Sequence, residues 1–285
     1  MDGIQSEQAV IISNPKNNPS CNLPVMDYIA KIQRRDFKAK MTLEWMANYE
    51  QFSTVAIIAM LLEVSQSSAR RALEKLVKAK LMLVEDHFIN GYGIKIYGIS
   101  NQGLVAVEAE SDAPYFEKGK VTSNYIMHKL ETQRIRIIAE RLGAYFVSER
   151  KIRIAQRGLK KIPDGIITIF LNDLRAPGTR IALELEREPK TLKRLNIIHE
   201  NYLHSMEIDG QVDCVLYLYP KKFLKGAIKL HKALTQPDCP KRNNLEAIRP
   251  YRYMFGALET FPQGIQFIDG EAVNFTAQNV PDIFE

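Results

Sequence analysis

What the sequence lacks narrows it first. It has three cysteines in 285 residues, Cys21, Cys214 and Cys239, and no CxxC pair. An odd, scattered set forms neither a disulfide framework nor a four-cysteine zinc site, and it fits a reducing cytoplasm. No apolar run approaches the roughly 20 residues that span a bilayer, so no membrane insertion is expected. The start, Met1–Gln8, has no basic stretch followed by an apolar one, so no secretory signal is expected either. GxxxxGKS/T, GxSxG and HExxH are all missing, which argues against a nucleotide-phosphate loop, a nucleophile elbow and a zinc-protease helix. The histidines His87, His128, His199, His204 and His231 form no His-apolar-His cluster.

What is present is ordinary globular material. Hydrophobic residues at 46% and charged residues at 25% exclude a disordered or collagen-like chain. The length suggests two domains at roughly 150 residues each. The net charge of +6 is compatible with a nucleic-acid partner, and its weight depends on where the basic residues fall.

Residues 1–40 read as an N-terminal arm. Asn14–Ser20 is polar and turn-forming. Met26–Lys40 is a possible helix with Lys31, Arg34, Arg35, Lys38 and Lys40, either a solvated face or an arm lying on phosphates.

Residues 41–112 read as three helices and a hairpin. The helices are Met41–Gln51, Thr54–Leu62 and one running from an N-cap at Ser67 to about Lys80. The strands Leu81–Phe88 and Ile94–Ile99 flank a turn at Asn90–Gly93, and Ser100–Glu110 returns to helix. This order is that of a winged helix-turn-helix. The third helix would enter the major groove, presenting Ser67, Arg70, Arg71, Lys75 and Lys78 against the lone acid Glu74. Tyr92 at the hairpin tip would reach the backbone or the minor groove. The alternative is a module that contacts protein.

The turn-forming stretch 111–122 marks a boundary. Residues 120–272 then read as helix Asn124–Leu142, strands Tyr145–Ser148, Ile162–Leu171 and Arg180–Glu186, helix Thr191–Met206, and strand Gln211–Tyr219. The last of these strands is nearly all apolar and should be central. Helix Phe223–Leu234 and strand Gly264–Ile268 follow, and 273–285 reads as a tail. The expected class is α+β, with a mixed central sheet in the second domain.

The candidate chemistry lies in Pro163-Asp164-Gly165 and Glu184-Leu185-Glu186. Strand residues two apart share a face, so Glu184 and Glu186 project together. If the two strands pair, Asp164 joins them at one edge of the sheet. Three converging carboxylates repel one another unless a hard cation such as Mg²⁺ or Mn²⁺ lies between them. Such a cation polarises a phosphodiester and lowers the pKa of a bound water. Lys190 and Lys193, at the start of the next helix, are in position to reach a scissile phosphate. The plain alternative is that Glu184 and Glu186 form the solvated face of an edge strand, paired with Arg180 or Arg187. His128 reads either as a satisfied half-buried histidine or as a phosphate contact. Tyr202 reads as core packing or, less readily, as a nucleophile.

These residues resemble the PD-(D/E)xK nuclease pattern, with Asp164 at the aspartate position and Glu184 at the second acidic position. The third position holds Glu186 where the pattern has lysine, so the basic role passes to Lys190. With the winged helix and Met127-His128-Lys129-Leu130, residues 41–220 are similar to the replication-relaxation group and its MobC-class plasmid mobilisation relaxases. The resemblance implies a restriction-endonuclease-like domain. It implies metal-dependent nicking of DNA at a transfer origin, with Asp164, Glu184 and Glu186 holding the metal and Lys190, His128 and Tyr202 around it. It also implies double- and single-stranded DNA as substrate, and a relaxosome with an accessory protein and a coupling ATPase. The rival is a non-catalytic regulator of plasmid replication or transcription whose nuclease-like domain only binds DNA.

Overall fold

The structure is a computed structural model, and it describes residues 23–89, 91–155, 161–170, 178–207, 209–235 and 252–273. The chain is mixed α and β, with a three-stranded and a seven-stranded sheet. Among the described residues, no helix is long and apolar enough to cross a membrane. The stretch Asn14–Ser20 and the tail 274–285 lie outside the described residues.

The first helix, α1 (Leu23–Trp45), runs without a break across the expected boundary at residue 40. It continues into a π-helical turn, Met46–Glu50. Met26–Lys40 and Met41–Gln51 are therefore not separate helices. The sequence separates them only because the apolar stripe of Leu43, Met46 and Ala47 begins late.

A short strand, β1 (Phe52–Thr54), follows where the sequence pattern gives no strand signal. Thr54 caps α2 (Val55–Leu61), its side chain accepting from the Ile57 amide. The cap of α3 (Gln66–Lys78) is Ser65, which accepts from the Ser68 amide at 3.3 Å. Ser67, the expected cap, sits in the first turn with its hydroxyl 3.0 Å from that of Ser65. In a run of serines, each is chemically able to cap, and composition alone does not choose.

Strands β2 (Met82–Ile89) and β3 (Tyr92–Ile99) pair in register from Met82↔Ile99 to Ile89↔Tyr92. Tyr92 and Gly93, expected in the turn, therefore belong to the strand, and Asn90 lies outside the described residues. Gly91, directly before β3, has φ +82°, a left-handed backbone that glycine supplies without strain. The sheet order is β1-β3-β2. The helix expected over Ser100–Glu110 is shorter, α4 (Asn101–Ala106).

The long helix α5 (Ser123–Arg141) is shared between the two halves. Its Ile126, Leu130 and Ile137 pack with Trp45, Phe52 and Phe116, while Ile135 and Ala139 pack with Phe146, Ile167 and Leu183 of the larger sheet. Gln133 fixes the contact: it accepts from Ser53 Oγ and donates to the Phe52 carbonyl, both at 2.7 Å. Burial of these apolar side chains on either side of one helix holds the two sheets together.

The second sheet has the order β10-β9-β8-β7-β6-β5-β4. Its strands are β4 (Tyr145–Ser148), β5 (Gly165–Ile169), β6 (Thr179–Leu185), β7 (Cys214–Tyr219), β8 (Tyr253–Ala257), β9 (Ile265–Phe267) and β10 (Ala272–Val273). Strands β4, β5 and β6 form an antiparallel meander, and β6, β7 and β8 run parallel. β7 is the middle strand, as its unbroken apolar run demands. A short helix α6 (Glu149–Ala155), strand β8 and strand β10 go beyond the elements expected from sequence. One face of the sheet packs on α5. The other carries α7 (Leu192–Glu207) and α8 (Lys221–Thr235), through Ile198, Tyr202, Leu203 and Ala227.

Candidate active site

The site forms where β5 begins and β6 ends. These strands are antiparallel, with Gly165 opposite Leu183, and the Asp164 amide donates to the Leu183 carbonyl at 2.9 Å. The head of one strand therefore meets the tail of the other. Gly165 is required there: a Cβ on it would lie 2.3 Å from the Phe146 ring.

β6 is an interior strand between β5 and β7, not an edge. Glu184 is 2% exposed and Glu186 6% exposed, so the alternative of a solvated face is overturned. Arg180, one of the partners it invoked, pairs with Asp213.

Each acid has its own partner. Asp164 Oδ2 accepts from the Leu185 amide at 2.7 Å, and Oδ1 lies 3.1 Å from His128 Nε2 on α5. Burial alone would push the Asp164 carboxyl up. The hydrogen bond and charge of His128 and the Leu185 amide outweigh it and hold the carboxyl below its ordinary value. His128 moves the opposite way, raised by the bond to Asp164 against the effect of its own burial. Glu184 Oε1 lies 2.7 Å from Lys161 Nζ and also accepts from the Tyr202 hydroxyl. Burial raises the Glu184 carboxyl, and the Lys161 ammonium only partly offsets this. Glu186 pairs with Lys190. Burial lowers Lys190 to about 8, with Glu184 pulling upward and Lys161 and Arg194 downward.

Asp164, Glu184, Lys161, Lys190, His128 and Tyr202 are thus gathered at the ends of β5 and β6. Glu186 is adjacent but taken up by Lys190. Among the described residues, no group of three His, Cys, Asp or Glu is arranged to hold a metal ion. The expected three-carboxylate cradle is not formed. Asp164 and Glu184 remain as a pair of oxygen donors at neighbouring strand ends. Lys161 has no role in the pattern expected from sequence. The available signal was its position three residues ahead of Asp164, at the mouth of the strand.

Tyr202 is buried and packs with Ile198 and Leu203, so its ring is core while its hydroxyl serves Glu184. Burial and the neighbouring Glu184 charge hold that hydroxyl well above its usual range. His199 does not share a face with His204. It lies 2.8 Å from His231 Nδ1 on α8, and His231 in turn lies 3.0 Å from the Tyr219 hydroxyl.

The other expected surface lies on the first half. Ser67, Arg70, Arg71, Lys75 and Lys78 are all exposed along α3, as is Glu74. Tyr92 is 79% exposed at the hairpin tip, and Phe88 on the partner strand is similarly open.

Between the halves lies a charged cluster that the sequence did not announce. Glu50, at the end of the π-turn, is 4% exposed. Burial raises its carboxyl to about 7, opposed by Lys129 and Arg136. Lys129 pairs with Glu149 at 3.2 Å, and the Arg136 guanidinium lies 4.3 Å from the Trp45 ring centre. Lys129 is the neighbour of His128, so α5 carries an imidazole into the site and an ammonium into the junction.

No family model matches the chain, and no curated protein matches it. Among solved structures, a Lactococcus lactis ZitR mutant in apo form is similar at 16% identity and a TM-score of 0.22. The match covers 32% of this chain and 66% of that one.

Proposed function

We propose that the chain is a divalent-metal-dependent DNA-nicking enzyme, with a winged helix-turn-helix that binds DNA and a restriction-endonuclease-like domain that cuts it. The observation that carries this reading is the pair Asp164 and Glu184 at adjoining strand ends, with the Lys161 ammonium 2.7 Å from Glu184. Two acids and a lysine at that place are what phosphodiester hydrolysis needs. The order α5, β4, α6, β5, β6, α7, β7, which adds the short helix α6 to the expected pattern, supports the nuclease-like reading. Lys161 takes the basic role that the sequence pattern gave to Lys190. On the first half, the β1-β3-β2 sheet, its antiparallel β2–β3 pair and the exposed cations of α3 support the winged helix.

Asp164 and Glu184 suit Mg²⁺ or Mn²⁺ held by two carboxylates with water completing the shell, and Glu186 stays with Lys190. Bound there, the ion would supply Lewis-acid polarisation of the phosphodiester. Lys161 and Lys190 stabilise the charge that builds on the phosphate. Tyr202 and His128 act as positioning residues, fixing Glu184 and Asp164. In the narrower form of the reading, cytoplasmic nicking takes place at a plasmid transfer origin on DNA that is double- and single-stranded by turns. An accessory protein and a coupling ATPase complete that assembly.

A second reading is favoured by one observation. All three acids already have basic partners: Lys161 on Glu184, Lys190 on Glu186 and the His128 imidazole on Asp164. A carboxylate set neutralised from within suits a regulator that binds DNA without cutting it. Supercoiled plasmid incubated with Mn²⁺ separates the two. Conversion to open circle supports the enzyme, and binding without conversion supports the regulator.

A further inference from the structure

α8 spans Lys221–Thr235 and contains five lysines and no acidic residue. Its buried side is Ala227, His231 and Leu234, at i, i+4 and i+7. Its exposed side is Lys222, Lys225, Gly226, Lys229 and Lys232. The lysines follow i, i+3, i+7 and i+10, which is one stripe of a helix. From Lys222 to Lys232 the stripe is about 15 Å long, the length of roughly four phosphates along a duplex strand.

A solvated helix ordinarily interleaves acids with its lysines, because i,i+4 pairs stabilise it and like charges at that spacing destabilise it. Among the described residues, no acidic side chain pairs with Lys222, Lys225 or Lys229, so the repulsion among these three is left uncompensated. Gly226 interrupts the stripe midway. A Cβ there would meet nothing within 4 Å, so packing does not require the glycine, although a helix interior disfavours it. Its place is explained if another backbone approaches the helix closely at that point. The helix covers the sheet face that carries Glu184, beside α7, whose exposed Lys193 and Arg194 follow Lys190 of the site.

We propose that the lysine stripe of α8 is a second nucleic-acid-binding surface, which holds a phosphodiester backbone on the nuclease-like half. It is distinct from the α3 surface. It rests on the reading of the chain as a DNA-binding protein, and adds a track along which one strand lies against the cutting half.

The test is fluorescence anisotropy of a labelled duplex and a labelled single strand over a series of salt concentrations. The proteins compared are the full-length wild type, the triple variant Lys222→Gln, Lys225→Gln and Lys229→Gln, and a charge-matched control, Lys118→Gln, Lys120→Gln and Arg141→Gln. Three fewer neutralised phosphates lower the salt slope by about 2.7 on duplex or about 2.1 on a single strand. A drop that reaches its full value on one substrate and not on the other identifies which form lies on α8, and the control leaves both slopes unchanged. Gly226→Glu, which places an acid in the stripe without a clash, weakens binding in the same way. If the α8 variant binds with the wild-type slope, or the control drops as much, the α8 surface is refuted while DNA binding stands. Loss of binding to phosphatidylserine vesicles with DNA binding intact also overturns it. If the wild type binds neither DNA form at any salt, the underlying reading fails and the proposal goes with it.

Discussion

His128 Nε2 lies 3.1 Å from Asp164 Oδ1, so a helix that packs on both sheets is tied directly to the head of β5. The same helix places Lys129 near buried Glu50 and Gln133 against Ser53. Asp164 of the candidate site is thus positioned by a helix that also packs against the half of the chain expected to grip DNA.

The His128–Asp164 pair sets a pH window. His128 is raised above 6.5 and Asp164 is lowered below 3.8. The His128 contribution to stability is complete below its unfolded pKa and is lost as pH rises through its higher folded value. The Asp164 contribution holds above its unfolded pKa and is lost as pH falls through its lower folded value. The His128 ring followed by NMR should titrate with a midpoint above 6.5, and Asp164→Asn should bring the midpoint down. A wild-type midpoint at or below 6.5 would remove the pair from the account.

Glu50 works in the other direction. Its carboxyl rises from 4.5 to about 7, so the folded state holds a proton that the unfolded state has released, and stability falls as pH climbs between those values. Glu50→Gln should leave stability near pH 4 almost unchanged and raise it at pH 8 by up to about 3 kcal/mol. Urea denaturation at the two pH values measures this. An equal effect at both would mean that the carboxylate is fully compensated by Lys129 and Arg136.

The α3 cations give a prediction in salt. Replacing Arg70, Arg71 and Lys75 with Ala should flatten the salt dependence of duplex binding by about 0.9 for each phosphate that the variant no longer neutralises. Unchanged slopes would reassign the first half to protein contacts.

Lys161 and Lys190 should separate kinetically. Lys161→Met should lower nicking by on the order of 10²-fold while leaving DNA affinity nearly intact, because its ammonium meets charge that builds in the transition state. Lys190→Met frees Glu186 and should cost stability as well as rate. If Lys190→Met alone removes nicking, the basic role belongs where the sequence pattern first put it.

Much of the fold was legible because periodicity reports burial. The near-continuous apolar run of Gln211–Tyr219 marked β7 as central, and it is the middle strand. Short β1 was not legible: three residues carry no period, and Phe52–Thr54 is a strand only because β3 supplies its partners. The carboxylates were legible through their spacing, since alternation places Glu184 and Glu186 on one face. Their partners were not. The Lys190–Glu186 and Lys161–Glu184 pairs, and the burial that follows, depend on β6 being interior, which follows from the position of β7 and not from β6 itself. Glu50 gave no signal, because a carboxylate at a helix end reads as solvated until α5 covers it.

The most direct measurement of the central claim is conversion of supercoiled plasmid in Mn²⁺ by the wild type, Glu184→Gln and Tyr202→Phe, with the product probed for a detergent-resistant protein–DNA adduct. Melting temperature and DNA affinity are followed in parallel to confirm that each variant is folded. The account predicts open-circle product from the wild type, none from folded, DNA-binding Glu184→Gln, much of the wild-type rate from Tyr202→Phe, and no adduct. Full conversion by Glu184→Gln, or an adduct that disappears with Tyr202→Phe, would contradict it.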